Sequence, residues 1–342
     1  MSEYKQLEYP KQLELFYKRG MQFNYSFDNL DKNYNVSYLK NLRTISTLGY
    51  YQLKDYAYPY FKNGKYRDIF FSDVVARYYR DKRLRNAVEH AIEDIETTLN
   101  TRIAFLLGKK YGPFGYLDFR EWCQTSGYNK YLGKKGTKKG TKIDKYVIAK
   151  EQNNFLKMIQ SKARHSASKD VKKFDSENKE QVYLPIWLIM NELTLGDSIH
   201  IVKLMTEKNK RLLAKQFNCK AVELIKWLDC INLVRNVCCH NGNLIDIRFK
   251  TKPKIPKGFE NFLVSYKSNG GELVYTNRLS IAICIIVKLM GSINIKYRFG
   301  NLINSINHLI DTTNTPQAYG FKNRKSIYDC FSAMTISEKP QS

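Results

Sequence analysis

The sequence predicts a mostly α-helical protein, and two observations lead to that fold class. Apolar residues recur at intervals of three and four through much of the chain, which is the period of an amphipathic helix. Glycine and proline separate these periodic stretches, and we find neither a clear strand-rich block nor a sequence repeat. We therefore expect helices joined by turns, with a core formed from their apolar faces.

The longest periodic stretch covers residues 66–110. Its apolar stripe consists of Leu84, Val88, Ile92, Ile95, Leu99, Ile103 and Leu106. This spacing predicts one long amphipathic helix with a break near Asp73. Gly112 and Pro113 then end it.

Shorter stretches predict the remaining helices and turns. The expected helices cover residues 8–20, 38–45, 147–159, 184–195, 198–208, 209–217, 222–239, 278–293 and 301–310. Asp197 or Ser198 is expected to cap the helix that ends near Lys208. The pair Asn63-Gly64 and residues 269–271 predict turns.

Changes in composition along the chain predict four regions. Residues 1–130 form an N-terminal helical region, which includes an aromatic segment and the long helix 66–110. Residues 131–180 form a Lys-rich basic insertion or linker. Residues 181–332 form a C-terminal helical half, and residues 333–342 form a polar tail.

The net charge is the strongest feature of the composition. In 342 residues, 57 lysines and arginines stand against 32 acidic residues, which gives a formal net charge of +25. Such a surplus favours a polyanionic partner, with nucleic acid as the first candidate and an anionic membrane surface as the second. A lysine-rich source genome would account for part of the surplus but would not remove its electric field.

The densest basic run contains Lys134, Lys135, Lys138, Lys139 and Lys142, separated by glycine and threonine. One interpretation is an RNA-binding loop, because lysine is a good partner for phosphate. The other is a solvated surface insertion without apolar periodicity. The sequence leaves both open.

The remaining motif classes predict no metal site and no cofactor. Seven cysteines, an odd number without a Cys-x-x-Cys pair, indicate reduced and buried thiols. Cys238 and Cys239 are expected to be small core residues. The five histidines lack the spacing of metal ligands. We find no glycine-rich nucleotide-binding loop.

Hydropathy predicts a cytoplasmic protein with no membrane partner. No apolar run is long enough for a transmembrane helix, and residues 1–6 have no signal-peptide pattern.

The candidate catalytic residues lie at the end of the helix predicted over residues 222–239. Asn236 and His240 are four residues apart and fall on one face, with Arg235 one step round the helix. Residues 241–243 are a good helix stop, so His240 sits at a helix C-terminus, where the dipole favours a protonated imidazole. A cation, an amide and a titrating base side by side are a plausible set of groups for cleaving a phosphodiester bond.

A more ordinary interpretation is a helix-capping histidine beside a solvated arginine. The same spacing of Arg and His occurs a second time, at Arg85 and His90. His90 lies in the middle of a predicted helix with no stop signal after it, so we interpret the second pattern as a coincidence and His90 as a surface or packing residue.

Seven short stretches, in this order, resemble one known family. They are Leu48-Gly49-Tyr50-Tyr51-Gln52-Leu53, Arg80-Asp81-Lys82-Arg83-Leu84-Arg85, Ile92-Glu93-Asp94-Ile95-Glu96, Tyr111-Gly112-Pro113-Phe114, Leu184-Pro185-Ile186-Trp187, Leu193-Thr194-Leu195-Gly196 and Arg235-Asn236-Val237-Cys238-Cys239-His240. Over roughly residues 10–310 the chain resembles the abortive-infection Abi-like proteins, part of the HEPN superfamily of helical RNases.

The resemblance implies a HEPN-type helical bundle with an N-terminal helical and aromatic extension. It also implies a metal-independent endoribonuclease in which His240 is the acid and base, Arg235 clamps the phosphate and Asn236 orients His240 or bonds the phosphate. Attack by the 2′-OH would leave 2′,3′-cyclic phosphate and 5′-OH ends.

The biological setting and partners are also implied by the resemblance. HEPN sites are composite, so one motif per chain implies a homodimer. The setting is phage defence or a toxin–antitoxin system, with RNA as substrate and an antitoxin, RNA or protein, as partner. The sequence departs from the family at residues 241–244, where similar proteins carry a basic and aromatic run.

Two alternatives remain. A non-catalytic RNA-binding helical protein would use Arg235 and His240 as phosphate contacts. A structural protein would use the motif only as a helix cap.

Overall fold

The helical periodicity of the sequence appears directly in the structure, a computed structural model that describes residues 6–28, 30–32, 34–132, 140–311 and 314–334. Its α-helices are α1 (Tyr9–Lys18), α2 (Val36–Leu48), α3 (Tyr50–Ala57), α4 (Phe71–Tyr111), α5 (Phe119–Trp122), α6 (Lys145–Arg164), α7 (Lys169–Glu177), α8 (Ile186–Ile189), α9 (Leu195–Leu204), α10 (Glu207–Gln216), α11 (Ala221–Cys239), α12 (Leu279–Gly291), α13 (Gly300–Asn307) and α14 (Arg324–Ser332). The prediction of a mostly α protein is confirmed.

Among the described residues, three short antiparallel strand pairs accompany the helices. Their strands are β1 (Phe61–Lys62) with β2 (Lys65–Tyr66), β3 (Tyr128–Asn129) with β4 (Thr141–Lys142), and β5 (Ser265–Lys267) with β6 (Leu273–Tyr275). The predicted turn at Asn63-Gly64 joins β1 to β2, and both residues have positive φ, at 50° and 79°. Such a two-residue turn matches the twist of a hairpin. The predicted turn at residues 269–271 lies between β5 and β6.

The described residues divide into two compact units. The first draws on Met1–Ala87, Val237–Ile247 and Gly300–Thr315. The second draws on Val88–Asn236, Arg248–Phe299 and Pro316–Ser342. Helices α4 and α11 each contribute one part to each unit.

Helix α4 is a single element of 41 residues. The expected break near Asp73 is wrong, because Asp73 lies in the first turn and its carboxylate accepts a hydrogen bond from the N–H of Phe70 at 3.2 Å. An acidic residue at this position stabilises a helix start. The predicted stripe is buried from Leu84 to Ile103, and the last buried leucine is Leu107 in place of Leu106.

An aromatic cluster fills the core of the first unit. The ring of Phe16 on α1 lies 4.6 Å from that of Tyr50 and 5.9 Å from that of Phe71, centroid to centroid. Phe23 stacks on Phe71 at 5.3 Å. Pairs at these separations add to the stabilisation from buried area, which explains the aromatic content near the N-terminus.

The second unit is built around α12, which is buried on nearly all sides, as its apolar sequence predicts.

The start of α9 differs from the expectation of a cap at Asp197 or Ser198. Thr194 is the N-cap: its hydroxyl accepts from the N–H of Asp197, and the Asp197 carboxylate accepts from the N–H of Thr194. This capping box places Asp197 at the third helical position.

The basic segment 131–180 contains more helix than expected. Helix α6 covers Lys145–Arg164 where the sequence predicted 147–159, and α7 was not predicted. Both N-caps are ordinary ones: Asp144 accepts from two backbone N–H groups, and Ser168 accepts from that of Val171. Lys142 is exposed on β4, whereas Lys134, Lys135, Lys138 and Lys139 lie outside the described residues.

Helix α14 and the hairpin β5–β6 were also absent from the predicted elements. A cap at Asn323, whose side chain accepts from the N–H of Ser326, starts α14. Within the described ranges, no helix has both the length and the apolar character needed to cross a membrane.

The capping box at α9 gives a stability prediction. Thr194→Ala removes the hydroxyl acceptor and is expected to lower the free energy of unfolding by about 1 kcal/mol, measured by urea denaturation. Thr101→Ala is the control, because the exposed Thr101 hydroxyl only bonds back to Thr97 within α4, and it is expected to change stability by less than about 0.5 kcal/mol. Equal effects of the two variants would contradict the role of the capping box.

Candidate active site

Helix α11 presents the candidate residues because its apolar stripe is buried. Leu224, Leu228, Ile231 and Val234 are buried in the second unit. Around the same helix, Arg235 is half-buried and Asn236 is exposed, as is His240 immediately after the last helical residue. Helix α11 therefore has a buried stripe and a more open side.

The end of α11 is a Schellman motif with His240 at its C-cap. Asn241 adopts the left-handed conformation, with φ of 54°. Its N–H donates to the carbonyl of Cys238 at 3.3 Å, and the N–H of Gly242 donates to that of Val237 at 2.8 Å. The predicted helix stop is thus confirmed, and backbone groups, not the imidazole, satisfy these two terminal carbonyls.

A side chain at position 242 would be crowded. A Cβ at this position would lie 3.0 Å from Val237 Cγ1 and 3.2 Å from the Val237 carbonyl oxygen. Contacts this short force the neighbour to move. The turn that follows His240 is therefore packed closely against the last turn of α11.

A buried carboxylate on α4 holds the next part of this loop. Asp81 is fully buried, and its Oδ1 accepts from the N–H of Ile245 at 2.9 Å while its Oδ2 accepts from that of Leu244 at 3.4 Å. The guanidinium of Arg85, one helical turn later, pairs with the same carboxylate at 2.8 Å. Pairing and hydrogen bonds are what allow a charge to be buried.

Arg85 reaches the loop as well as Asp81. Its Nη1 donates to the carbonyl of Gly242 at 2.6 Å and to the hydroxyl of Tyr56 at 2.8 Å. That hydroxyl in turn donates to Asp81. We call Tyr56, Asp81 and Arg85 the buried cluster. All its contacts with residues 242–245 lie within the first unit.

Burial and hydrogen bonding have opposite effects on the pKa of the Asp81 carboxyl. Burial raises the pKa of the Asp81 carboxyl, and the donors from Tyr56, Arg85, Leu244 and Ile245 oppose that rise by favouring the ionised form. Burial, followed by the nearby Asp81 charge, also raises the pKa of Tyr56. Tyr56 therefore remains a protonated donor to the carboxylate.

Two further contacts surround the same loop. Gln52 on α3 donates from Nε2 to the carbonyl of Asn241 at 2.9 Å. The side chain of Asn243 bonds Asp246, and Asp246 forms an ion pair with Arg77 on α4. The loop after His240 is consequently held by side chains of α3 and α4.

Arg235 has a different environment, within the second unit. Glu96 on α4 is half-buried, and burial raises the pKa of its carboxyl while the positive charge of Arg235 opposes that rise. At the start of α9, a Cβ on Gly196 would lie 3.8 Å from the side chain of Asn232, which is one turn before Arg235 on α11. The stretches 92–96 and 193–196 thus contribute the neighbours of this part of α11.

The second Arg and His pair has other roles. Arg85 is buried in the cluster described above. His90 is exposed, and its Nδ1 lies 2.7 Å from the hydroxyl of Tyr297 within the second unit. This agrees with the interpretation of His90 as a surface residue, but Arg85 itself was missed as an anchor of the His240 loop.

Two more of the seven stretches that resemble the family contact each other. The N–H of Ile186 donates to the carbonyl of Pro113 at 2.9 Å, so residues 111–114 and 184–187 meet at the end of α4.

Of the two adjacent cysteines in the motif, Cys238 is buried as expected. The expectation for Cys239 is wrong: it is exposed, because one residue along a helix turns by about 100° and leaves the apolar stripe.

Sequence comparison assigns the family. A profile of the Abi-like protein family matches residues 43–246, more than half of the chain. The chain belongs to the Abi-like family. This membership associates it with abortive infection. No curated protein and no solved structure matches the chain significantly.

The matched range contains both environments of α11. It includes Gln52 and the buried cluster, which contact the loop after His240, and it includes Glu96 and Gly196 near Arg235. It ends at Asp246, the residue that closes the loop onto Arg77. Within the described ranges, no group of three or more His, Cys, Asp or Glu is arranged to hold a metal ion.

Apolar periodicity did not reveal the buried cluster, because it locates apolar residues and does not show which charged residues of α4 are buried. A signal existed: Asp81 and Arg85 are four residues apart, and both adjoin Leu84, which starts the predicted apolar stripe. An oppositely charged pair at that spacing beside a buried stripe is a candidate for a buried ion pair.

The buried cluster gives a second stability prediction. Asp81→Asn leaves Arg85 buried without its counter-charge and is expected to lower the free energy of unfolding by about 3–5 kcal/mol. Glu177→Gln is the control, since it removes a carboxylate from an exposed i,i+4 pair with Lys173 and is expected to cost less than about 0.5 kcal/mol. Urea denaturation measures both, and a cost for Asp81→Asn as small as that of the control would contradict the anchoring role.

Proposed function

We propose that this chain is a metal-independent endoribonuclease of an abortive-infection phage-defence or toxin–antitoxin system. Arg235, Asn236 and His240 are its catalytic residues. RNA is the substrate, and the products carry 2′,3′-cyclic phosphate and 5′-OH ends.

The observation that carries the proposal is the state of His240. Its imidazole is exposed and has no hydrogen-bond partner among the described residues, although the backbone around it is fixed by the Schellman motif and the buried cluster. A histidine needed only as a cap would bond the terminal carbonyls, and the N–H groups of Asn241 and Gly242 already bond two of them. A positioned imidazole without such a bond suits proton transfer to or from a bound substrate.

The chemistry follows from these side-chain types. In the first step a base removes the proton of the RNA 2′-OH, whose oxygen attacks the adjacent phosphorus. The bond to the leaving 5′-oxygen breaks as an acid protonates that oxygen. His240 supplies one of these proton transfers, and Arg235 stabilises the charge that develops on the phosphate oxygens. Asn236 orients His240 or bonds the phosphate. DNA lacks the attacking hydroxyl and is not cut.

The second proton-transfer group is supplied by a second copy of the chain, since each chain carries one such motif at a helix end. The proposal therefore includes a homodimer. A toxic activity also needs restraint, so it includes an antitoxin, RNA or protein. The lysines at 134, 135, 138, 139 and 142 are proposed to contact RNA, with lysine ammonium groups neutralising phosphates.

Replacement of His240 tests catalysis directly. We expect His240→Ala to lower the rate of RNA cleavage, measured with EDTA present, by about 10²–10⁴-fold. His90→Ala is the matched control and is expected to retain activity, because among the described residues the His90 ring bonds only Tyr297. Analysis of the RNA ends should find cyclic phosphates.

Two outcomes would count against this assignment. Loss of cleavage with both histidine variants would indicate that His90 also acts. Tight RNA binding without any cleavage by the wild type would favour the non-catalytic RNA-binding protein.

Replacement of Arg235 tests its proposed role in the transition state. Arg235→Ala removes the guanidinium and is expected to lower the cleavage rate by about 10²–10³-fold. Arg235→Lys keeps the charge but loses the planar fork, and an intermediate loss of at least about 10-fold is expected. Arg211→Lys, on the exposed face of α10, is the control and should leave cleavage unchanged. Full activity of Arg235→Lys would exclude a bidentate contact.

A further inference from the structure

A row of basic side chains lies on an irregular segment of the second unit, which follows the His240 loop in the sequence. In residues 248–255, basic residues alternate with other types: Arg248, Lys250, Lys252 and Lys254 stand at every second position. All four are exposed, whereas Phe249 between the first two is buried. Thr251 is exposed as well, so the exposed part of the segment is continuous from Lys250 to Lys252.

The segment has no regular secondary structure, yet its backbone is held at both ends. The N–H of Phe249 donates to the carbonyl of Asn277 at 2.8 Å, and the Asn277 side chain donates back to the Phe249 carbonyl at 3.3 Å. At the other end, the indole N–H of the buried Trp227 donates to the carbonyl of Lys254 at 2.7 Å. The basic side chains therefore project from a fixed support, not from a free loop.

In the described part of the chain, one of these four cations has a carboxylate partner. Lys254 pairs with Glu223 at 2.7 Å. Among the described residues, no carboxylate lies within 4.0 Å of the charged groups of Arg248, Lys250 or Lys252. Two residues of extended chain span at most about 7 Å. The result is a closely spaced row of positive charge, which favours a linear polyanion.

An exposed aromatic ring lies beside this row. Tyr266 on β5 is 59% exposed, and the Lys252 ammonium lies 6.0 Å from the centre of its ring. Lys252 also donates to the carbonyl of Tyr275 on β6 at 2.8 Å, which fixes the lysine against the hairpin. Cations combined with an exposed aromatic ring are the arrangement used to bind single-stranded nucleic acid, where bases stack on the ring.

We infer that Arg248, Lys250, Lys252 and Tyr266 form a binding surface for single-stranded RNA. The three cations contact successive phosphates, and Tyr266 stacks on a base. This rests on the proposed function for the identity of the nucleic acid as RNA, but binding at this surface does not require cleavage. A single row of charge beside one ring fits a strand better than a membrane, which is a broad surface.

The test measures binding with an RNA that cannot be cut. The full chain is titrated into a fluorescent single strand of 2′-O-methyl uridine of about 15 nucleotides, followed by anisotropy over a range of salt concentrations. The triple variant R248Q/K250Q/K252Q is compared with K172Q/K173Q/K179Q, which removes the same charge from exposed positions at 172, 173 and 179.

The triple variant is expected to weaken binding at least about 10-fold and to lower the salt slope by about 2, since each phosphate contact contributes about 0.7 for a single strand. The control variant should keep the wild-type slope. Tyr266→Ala should weaken binding at least about 5-fold, whereas Tyr266→Phe should not, because stacking needs the ring and not the hydroxyl. Thermal unfolding of every variant confirms that it is folded.

Equal losses for the two triple variants would overturn the inference, since they would show only a general effect of charge. Wild-type affinity of Tyr266→Ala would also overturn it. The same holds if R248Q/K250Q/K252Q loses binding to anionic phospholipid vesicles but keeps binding to RNA. Failure of the proposed function is a separate result: if wild-type protein binds RNA through this surface but cuts none, the surface stands and the endoribonuclease does not.

Discussion

The ion pair between Asp81 and Arg85 is the constraint on which the surroundings of His240 depend. Both side chains are almost completely buried, and a buried charge left without its partner is strongly destabilising. Their remaining hydrogen bonds are made to the backbone of residues 242–245 and to Tyr56. A displacement of the loop would therefore break bonds in a region that water does not reach, so folding of the first unit and placement of the loop are linked.

The two parts of helix α11 are supported by different interactions. In the second unit its apolar stripe is buried, and Arg235 lies within electrostatic reach of the half-buried Glu96. In the first unit the Schellman motif and the buried cluster determine the path of the chain after His240. Arg235 and Asn236 thus lie on the buried part of α11 in the second unit, and His240 lies at an anchored helix end in the first.

The sequence predicted helices well where apolar periodicity and a stop signal agreed. The helix over 222–239 and its stop after His240 are examples, because the stripe and the Asn-Gly pair are local signals. Elements that depend on caps in a basic, polar context, such as α6 and α7, were shortened or missed. The buried cluster could not be assigned from periodicity, because an ion pair is buried or exposed according to what the rest of the chain places over it. Positions 235, 236 and 240 came from the motif, whereas their supports came only from the structure.

Side chains of α3 and α4 bond backbone atoms of residues 241–245. Gln52 and Arg85 bond carbonyls, and Asp81 bonds two N–H groups. Other interactions specify the residue types: Leu244 and Ile245 are buried, and the side chain of Asn243 bonds Asp246. Asn241 is exposed, and its positive φ is tolerated by Asn, Asp and Gly. Exchange among these three residue types would change the surface beside His240 and leave its backbone support in place.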